Sequence, residues 1–382
     1  MTVLLEPIPP LLQGEGALAA IGEHATRLAG AGQAVLLVAD PGLRASGLID
    51  EAVSALAKAG LTPVLFDDIK SDPSDRQVDA GAALARTSAA KAVVALGGGS
   101  AMDAGKLIAA IAPASAPAIA YALCARPLPA SPLPKICVPT TAGTGSETTR
   151  VSVIGDAQGA KQWYWGNDLR ADLVVLDPVA TVGLPAHLTA ATGIDALVHA
   201  MEAATNRNAS AANDVYAHAA IRLAVKHLEA AVAEPRNLTA RAGMQLAAAY
   251  AGVAIDNAGT AIGHNIGHAL GSLRPIHHGR AVGVAMMATL AWNVEGDDGA
   301  FAGVAEAMGL GGDPSRVPVE FERLMRATGV KVSLAAECAG ITAEMLAAQM
   351  ARPENEAMKR SNRKAPSEAD MLRFAETVLS QA

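Results

Sequence analysis

The chain has 382 residues, enough for two domains with substantial cores. Its formal net charge is −7 and no block of like charge stands out, so neither a nucleic-acid groove nor an anionic membrane surface is expected as a partner. Cys124, Cys137 and Cys338 lie far apart with no CxxC, which fits a reducing cytoplasm and leaves no thiolate metal site.

The opening MTVLLEPIPPLLQGEG has no basic n-region and carries three prolines, so it does not read as a signal peptide. The apolar run 34–39 (AVLLVA) predicts a strand buried on both faces, read as the first of the sheet and ending at Asp40. A helix from Ser46 to Gly60 and a strand over Thr62–Phe66 follow. Pro73-Ser74 then looks like the N-cap of a helix running to about Ser88. Strands over Lys91–Leu96 and Ile136–Val138 each lead into a turn of small residues, GGGS and PTTAGTGSE. Leu107 to Ala125 carries no charge, but it is mostly Ala and is broken by Pro113 and Pro117. It reads as a buried helix running into a loop rather than a bilayer span. The alternation of strands and helices predicts an α/β domain with a parallel, doubly wound sheet over residues 1–184 and ligands at the carboxyl ends of its strands. Beyond Pro185 only Ala-rich helical patterns remain, roughly 187–205, 210–232, 237–256, 259–271 and 279–294, so residues 185–382 read as an all-helical domain.

Gly97-Gly98-Gly99-Ser100 sits between a strand and a helix. Successive glycines let a pyrophosphate approach the backbone, and the helix offers N–H donors and a positive dipole end. The turn is not GxGxxG, and on its own it serves equally as a tight connection. The second turn, Thr140-Thr141-Ala142-Gly143-Thr144-Gly145-Ser146, also follows a strand, and its hydroxyls suit phosphate and ribose contacts. Two such loops at neighbouring strand ends read as the two sides of a nucleotide cleft. Asp40 stands where a carboxylate would accept ribose hydroxyls and repel a 2′-phosphate, favouring NAD over NADP; a turn residue before Pro41-Gly42 is the alternative. Asp103 and Lys106 fall in the first turns of the helix after GGGS, where an acid either complements the dipole or holds the nicotinamide end. Trp163-Tyr164-Trp165, three of the chain's eleven aromatics, reads as a loop lining a pocket, plugging a core or making an oligomer contact.

Four of the nine histidines, His264, His268, His277 and His278, fall in HNIGHALGSLRPIHHG. Asp195 and His199 in GIDALVHAME are four apart, on one face of a helix. One carboxylate with several imidazoles is a ligand set for a divalent metal such as Fe, Zn, Ni or Co. Spacing alone does not choose between His277 and His278.

GGGSAMDAGK, PTTAGTGSE, GIDALVHAME and HNIGHALG…HHG, in this order, resemble the iron-containing (group III) alcohol dehydrogenases, and the resemblance covers essentially the whole chain. It implies an N-terminal dinucleotide-binding domain, an all-helical C-terminal domain and a metal in the cleft between them. It places the metal ligands on Asp195, His199, His264 and His278, an additional active-site histidine on His268, and leaves His277 outside. For the cofactor it implicates Asp40, Gly97, Gly98, Gly99, Ser100, Asp103, Thr140, Thr141, Thr144 and Ser146, with Lys161 as a ribose contact. Gly105 departs from the family's usual Ala, Thr or Cys, a change expected to matter little.

The implied chemistry is reversible hydride transfer between NAD(H) and a small alcohol or aldehyde, with Fe(II), or alternatively Zn(II), polarising the substrate oxygen. His268 either carries a proton or orients its neighbours. The resemblance also implies a homodimer or higher homo-oligomer. Glycerol dehydrogenase-like and maleylacetate reductase-like enzymes are the near alternatives. A 3-dehydroquinate synthase-like lyase would need a basic cluster near the histidines, where only Arg274 and Arg280 stand. A non-catalytic binding protein would not need an intact ligand set with both nucleotide loops.

Overall fold

The computed structural model describes residues 4–381. They form two compact units, the first comprising Ile8–Thr141 and Ser146–Leu184. The second runs from Pro185 to the last described residue, joined by Ala142–Gly145 and the described residues up to Pro7.

The first unit holds β1 (Leu11–Gln13), α1 (Ile21–Ala29), β2 (Ala34–Ala39), α2 (Leu48–Lys58), β3 (Thr62–Phe66), α3 (Asp75–Thr87), β4 (Ala92–Gly97), α4 (Gly99–Ile111), β5 (Lys135–Pro139), β6 (Val151–Gly155), β7 (Lys161–Trp165) and β8 (Leu173–Leu176). Six strands make a parallel sheet in the order β1-β8-β5-β4-β2-β3, and β6 pairs antiparallel with β7. Alternate residues of the apolar strands feed two cores. Leu36, Val38 and Val93 pack with α3 and α4, while Val35, Leu37, Val94 and Leu96 pack with α1 and α2. Burial on both faces is why these strands read as unbroken apolar runs rather than as alternating ones. The Ser74 hydroxyl accepts from Gln77 N while Gln77 accepts from Ser74 N, a capping box that starts α3 where the sequence placed its N-cap.

Strand order reverses between β2 and β4, because β3 lies outside β2 on one side and β4 adjoins it on the other. In open α/β sheets ligands bind at the carboxyl ends of strands at such a reversal. Asp40 follows β2 and Gly97 ends β4, so both candidate cofactor elements lie there.

Three expectations change. Asp40 ends the second strand of the sheet, because β1 precedes it. Trp163-Tyr164-Trp165 is not a loop but most of β7, with Tyr164 buried in the core shared by α3 and α4 and Trp165 half exposed under the Arg150 guanidinium. Gly105 matters for packing. A Cβ there would lie 2.6 Å from Ala95 Cβ, on a strand that cannot yield as a flexible side chain would.

The second unit is helical: α5 (Ala186–Thr205), α6 (Ala211–Ala233), α7 (Leu238–Ala258), α8 (Ile262–Leu273), α9 (His278–Glu295), α10 (Ala300–Ala307), α11 (Val317–Ala327), α12 (Ala343–Met350), α13 (Pro353–Ser361) and α14 (Glu368–Ser380). Helix α5 is buried along nearly its whole length, packed against α6, α7 and α9. Its alanines and Gly193, against Leu228 and Met244, let the neighbours close around it. No helix among the described residues is long and apolar enough to cross a membrane.

Helix propensity favours Ala over Gly by about 1 kcal/mol, whereas forcing a methyl into a filled core costs about 1–3 kcal/mol. Gly105→Ala is therefore expected to lower the thermal midpoint. A midpoint equal to or above that of the parent, measured by differential scanning calorimetry, would show that β4 and α4 separate without strain.

Candidate metal centre and nucleotide loops

Asp195, His199 and Glu202 stand at i, i+4 and i+7 on α5, so they share one helical face. Helix α8 contributes His264 and His268, one turn apart, and α9 begins at His278. Asp195, His199 and His264 each present one ligand atom, all within 4.8 Å of one another, and all three side chains are buried. The His264 Nε2 and His278 Nε2 atoms both lie 3.6 Å from Asp195 Oδ1. The His199 and His264 rings stack at 4.3 Å between centroids. His278 is outside the mutual 4.8 Å set and a quarter exposed, so it reaches the carboxylate from the open side. His268 is half-buried, its ring 6.3 Å from that of His264 and 5.2 Å from that of His278. His277 is exposed at the N-cap of α9.

Gly279 makes the approach of α9 possible. A Cβ on it would fall 2.2 Å from the Ala191 carbonyl oxygen and 3.0 Å from Asp195 Cβ. The glycine after His278 thus lets the start of α9 sit directly on α5.

The electrostatics is that of a cage built for a cation. Burial opposes ionisation of Asp195, but His199, His278 and His264 around it hold its carboxyl well below the usual carboxylate range. Burial pushes the His199 imidazole down to about 4, which keeps it neutral. Burial also opposes charging of His264, yet Glu202 and Asp195 outweigh it and draw that imidazole up. Asp195 Oδ1, His199 Nδ1 and His264 Nε2 are buried with no hydrogen-bond partner. Unsatisfied buried groups are costly, and three converging lone-pair atoms are what a divalent ion needs. The residues fit a metal.

Sequence reasoning passed over Glu202. Its Oε2 accepts from His264 Nδ1 at 2.7 Å and from Ala261 N at 2.7 Å, and its Oε1 accepts from Gly263 N at 2.7 Å. The signal was present as the third member of the i, i+4, i+7 series in GIDALVHAME.

In the sheet unit, Gly97 has φ +151°, a backbone region that L side chains rarely adopt, and a Cβ there would meet Ala101 and Asp40. Thr140 N donates to Gly97 O at 2.9 Å, and a Cβ on Gly98 would lie 3.3 Å from Thr141 Cγ2. Gly97, Gly98, Thr140, Thr141 and Asp40 therefore gather at the carboxyl ends of the neighbouring strands β2, β4 and β5, and Gly99 and Ser100 open α4 from there. Asp40 Oδ1 accepts from Gly42 N at 2.8 Å, so the carboxylate also serves as the turn cap that the sequence left as its alternative role.

The second turn is divided. Thr140, Thr141 and Ser146 belong to the sheet unit, whereas Ala142–Gly145, with Thr144, belongs to the helical one. There Gly143 packs on Thr192 and Gly145 on the backbone of Gly252. Asp103 accepts from the Ser146 hydroxyl and from Val153 N at 2.9 Å. Lys106 is fully buried; its ammonium donates to Ser146 O at 2.7 Å and to Val151 O, and lies 3.4 Å from Asp103. Asp103 and Lys106 thus staple the loop to α4. Burial pushes the neighbouring Glu147 carboxyl up to about 7. Lys161 pairs with Asp72 at 2.8 Å.

Comparison with known proteins agrees with this anatomy. Residues 9–178 match the family described as iron-containing alcohol dehydrogenase, and residues 189–379 match the C-terminal part of the Fe-containing alcohol dehydrogenase family. Choline dehydrogenase of Bacillus subtilis (strain 168) is 36% identical over 317 residues, covering 82% of this chain and 78% of that protein. The NAD-dependent methanol dehydrogenase of Bacillus methanolicus is 35% identical over 304 residues, 79% of each chain. The crystal structure of sulfoacetaldehyde reductase from Bifidobacterium kashiwanohense in complex with NAD+ superposes with a TM-score of 0.91 at 26% identity, covering 100% of this chain and 99% of that one. With both halves matched, the chain belongs to the iron-containing alcohol dehydrogenase family and is an oxidoreductase.

Proposed function

We propose that this protein catalyses reversible hydride transfer between NAD(H) and a small alcohol or its aldehyde, with a divalent metal held by Asp195, His199, His264 and His278. The observation that carries this reading is the set of three buried ligand atoms without hydrogen-bond partners, within 4.8 Å of one another, in a chain of this family. Choline and methanol, named in two relatives, are both small alcohols. We assign Fe(II) as the metal, with Zn(II) accepted by the same ligands. When bound, the metal supplies Lewis-acid stabilisation of an alkoxide or polarisation of a carbonyl.

The chain's residues do the rest. Asp195 contributes the one formal negative charge among the four ligands, so the loaded site keeps a net charge near +1. His199, stacked on His264, is kept neutral by burial and thus retains a lone pair. His268, beside His264 and His278 but half-buried, holds or moves the proton of the alcohol towards solvent. Gly97, Gly98, Gly99 and Ser100 bind the pyrophosphate at the start of α4, and Thr140, Thr141, Thr144 and Ser146 supply hydroxyls to cofactor phosphate and ribose. Asp103 acts through the loop that it holds, and Lys161 lies next to that region on β7. Asp40 accepts the adenosine ribose hydroxyls and repels a 2′-phosphate. The three scattered cysteines support a cytoplasmic enzyme, and the family resemblance supports a homodimer or higher homo-oligomer.

His264→Ala is expected to lose bound metal and activity together. His268→Ala should keep its metal while turnover falls by about 10²- to 10⁴-fold. Elemental analysis beside NADH-oxidation rates checks both, and full metal occupancy in His264→Ala would contradict the assignment. Asp40→Gly is expected to raise the use of NADP relative to NAD; an unchanged ratio of kcat/KM for the two cofactors would remove Asp40 from the ribose site.

A further inference from the structure

We infer that Glu202 is a positioning residue for the metal centre: its carboxylate fixes both the tautomer of His264 and the placement of α8 that carries it. The inference rests on the metal-binding reading above and goes beyond it to a side chain that touches no metal.

Helix α8 begins at Ile262, and its N-cap, Ala261, has no side chain able to cap it. The exposed N–H groups of a helix start need acceptors, especially where water is excluded. Glu202, from α5, provides them. Oε1 accepts from Gly263 N at 2.7 Å and lies 3.4 Å from His264 N, while Oε2 accepts from Ala261 N at 2.7 Å. The same Oε2 lies 2.7 Å from His264 Nδ1. A carboxylate at 2% exposure is therefore surrounded by donors from the turn that carries the ligand histidine.

Two consequences follow from donor chemistry. An ionised carboxylate only accepts, so Nδ1 of His264 must carry the proton. In the neutral ring the lone pair is then on Nε2, the atom that faces Asp195 Oδ1 at 3.6 Å and has no hydrogen-bond partner. Secondly, helix and imidazole are aimed by one group, so shifting the carboxylate moves both. A glutamine cannot replace it. Its amide nitrogen must face either the backbone N–H groups or His264 Nδ1, and in the second case the proton moves to Nε2 and the ligand lone pair is lost.

Gly263 supplies an independent handle. A Cβ on it would lie 2.8 Å from Glu202 Oε1 and 3.7 Å from Met286 Cα, so Gly263→Ala displaces the carboxylate without removing any ligand or the carboxylate itself.

The test uses the full chain, stripped of metal, with Zn(II) alone as probe and a competing chelator to read affinity; NAD binding is read in parallel, because the cofactor loops are built on other residues. Glu202→Gln is expected to weaken Zn(II) binding by about 10- to 100-fold, with circular dichroism and NAD affinity unchanged. Gly263→Ala should weaken it by about 10-fold by the same route, and it carries the test if Glu202→Gln does not fold. Parent-like Zn(II) affinity in a folded Glu202→Gln, or in Gly263→Ala where that variant carries the test, overturns the positioning role and leaves the metal reading standing. Loss of NAD affinity in step with Zn(II) affinity also overturns it, since that marks general loosening of the fold. Failure of the parent protein to bind Zn(II) overturns the metal reading and this inference with it.

Discussion

A carboxylate at 1% exposure, ringed by imidazoles on three helices, is the constraint on which the helical half depends. The effective cost of taking an ion out of water is several kcal/mol even after relaxation. Such a charge persists only where opposite charge or donors converge on it. Here Asp195 Oδ1, His199 Nδ1 and His264 Nε2 converge without hydrogen-bond partners, an arrangement that fits a cation. The surrounding packing serves that geometry. Helix α5 is buried almost throughout, Gly279 admits the first turn of α9, and Glu202 aims the first turn of α8.

The sheet half applies a different principle. It spends its side chains on burying both faces of the central strands, and gathers glycines and hydroxyls in the turns at their carboxyl ends. Gly97, Thr140 and Asp40 meet where strand order reverses, and the buried Lys106 holds the second turn through backbone carbonyls rather than through a side-chain partner alone. A fully buried ammonium surrounded by carbonyl oxygens and one carboxylate is a rigid anchor for that loop.

Much of this was legible in the sequence, for physical reasons. Strands buried on both faces are continuous apolar runs, so β2, β4 and β5 stood out, while the edge strand β3 was marked by its short β-prone run TPVLF. What escaped lacked that signal or was masked by a competing one. β1 is three residues beside two prolines, whereas β8 was within reach as LVVL between Asp172 and Asp177. The aromatic β7 resembled a loop because, in a five-residue strand of a two-stranded hairpin, only Tyr164 is buried and no alternating or continuous apolar pattern marks it. The ligand face of α5 could be seen through its i, i+4 pair, but Glu202 at i+7 looked like an ordinary helix carboxylate, and only tertiary packing puts the α8 turn on it. His277 and His278 cannot be separated by spacing; the backbone turn before α9 leaves one exposed and brings the other within 3.6 Å of Asp195. Asp103 and Lys106 are placed by sequence at the start of the helix after GGGS, but their partners across the loop lie forty or more residues away and cannot be read from local pattern.

The most direct measurement is anomalous diffraction at the Fe and Zn edges from crystals grown after reconstitution with each metal in turn. The account predicts one strong peak per chain, about 2.0–2.2 Å from a carboxylate oxygen of Asp195 and from nitrogens of His199 and His264, with His278 closing in as the fourth ligand. A peak elsewhere, or none within bonding distance of Asp195 in a crystal of demonstrated metal content, would contradict it.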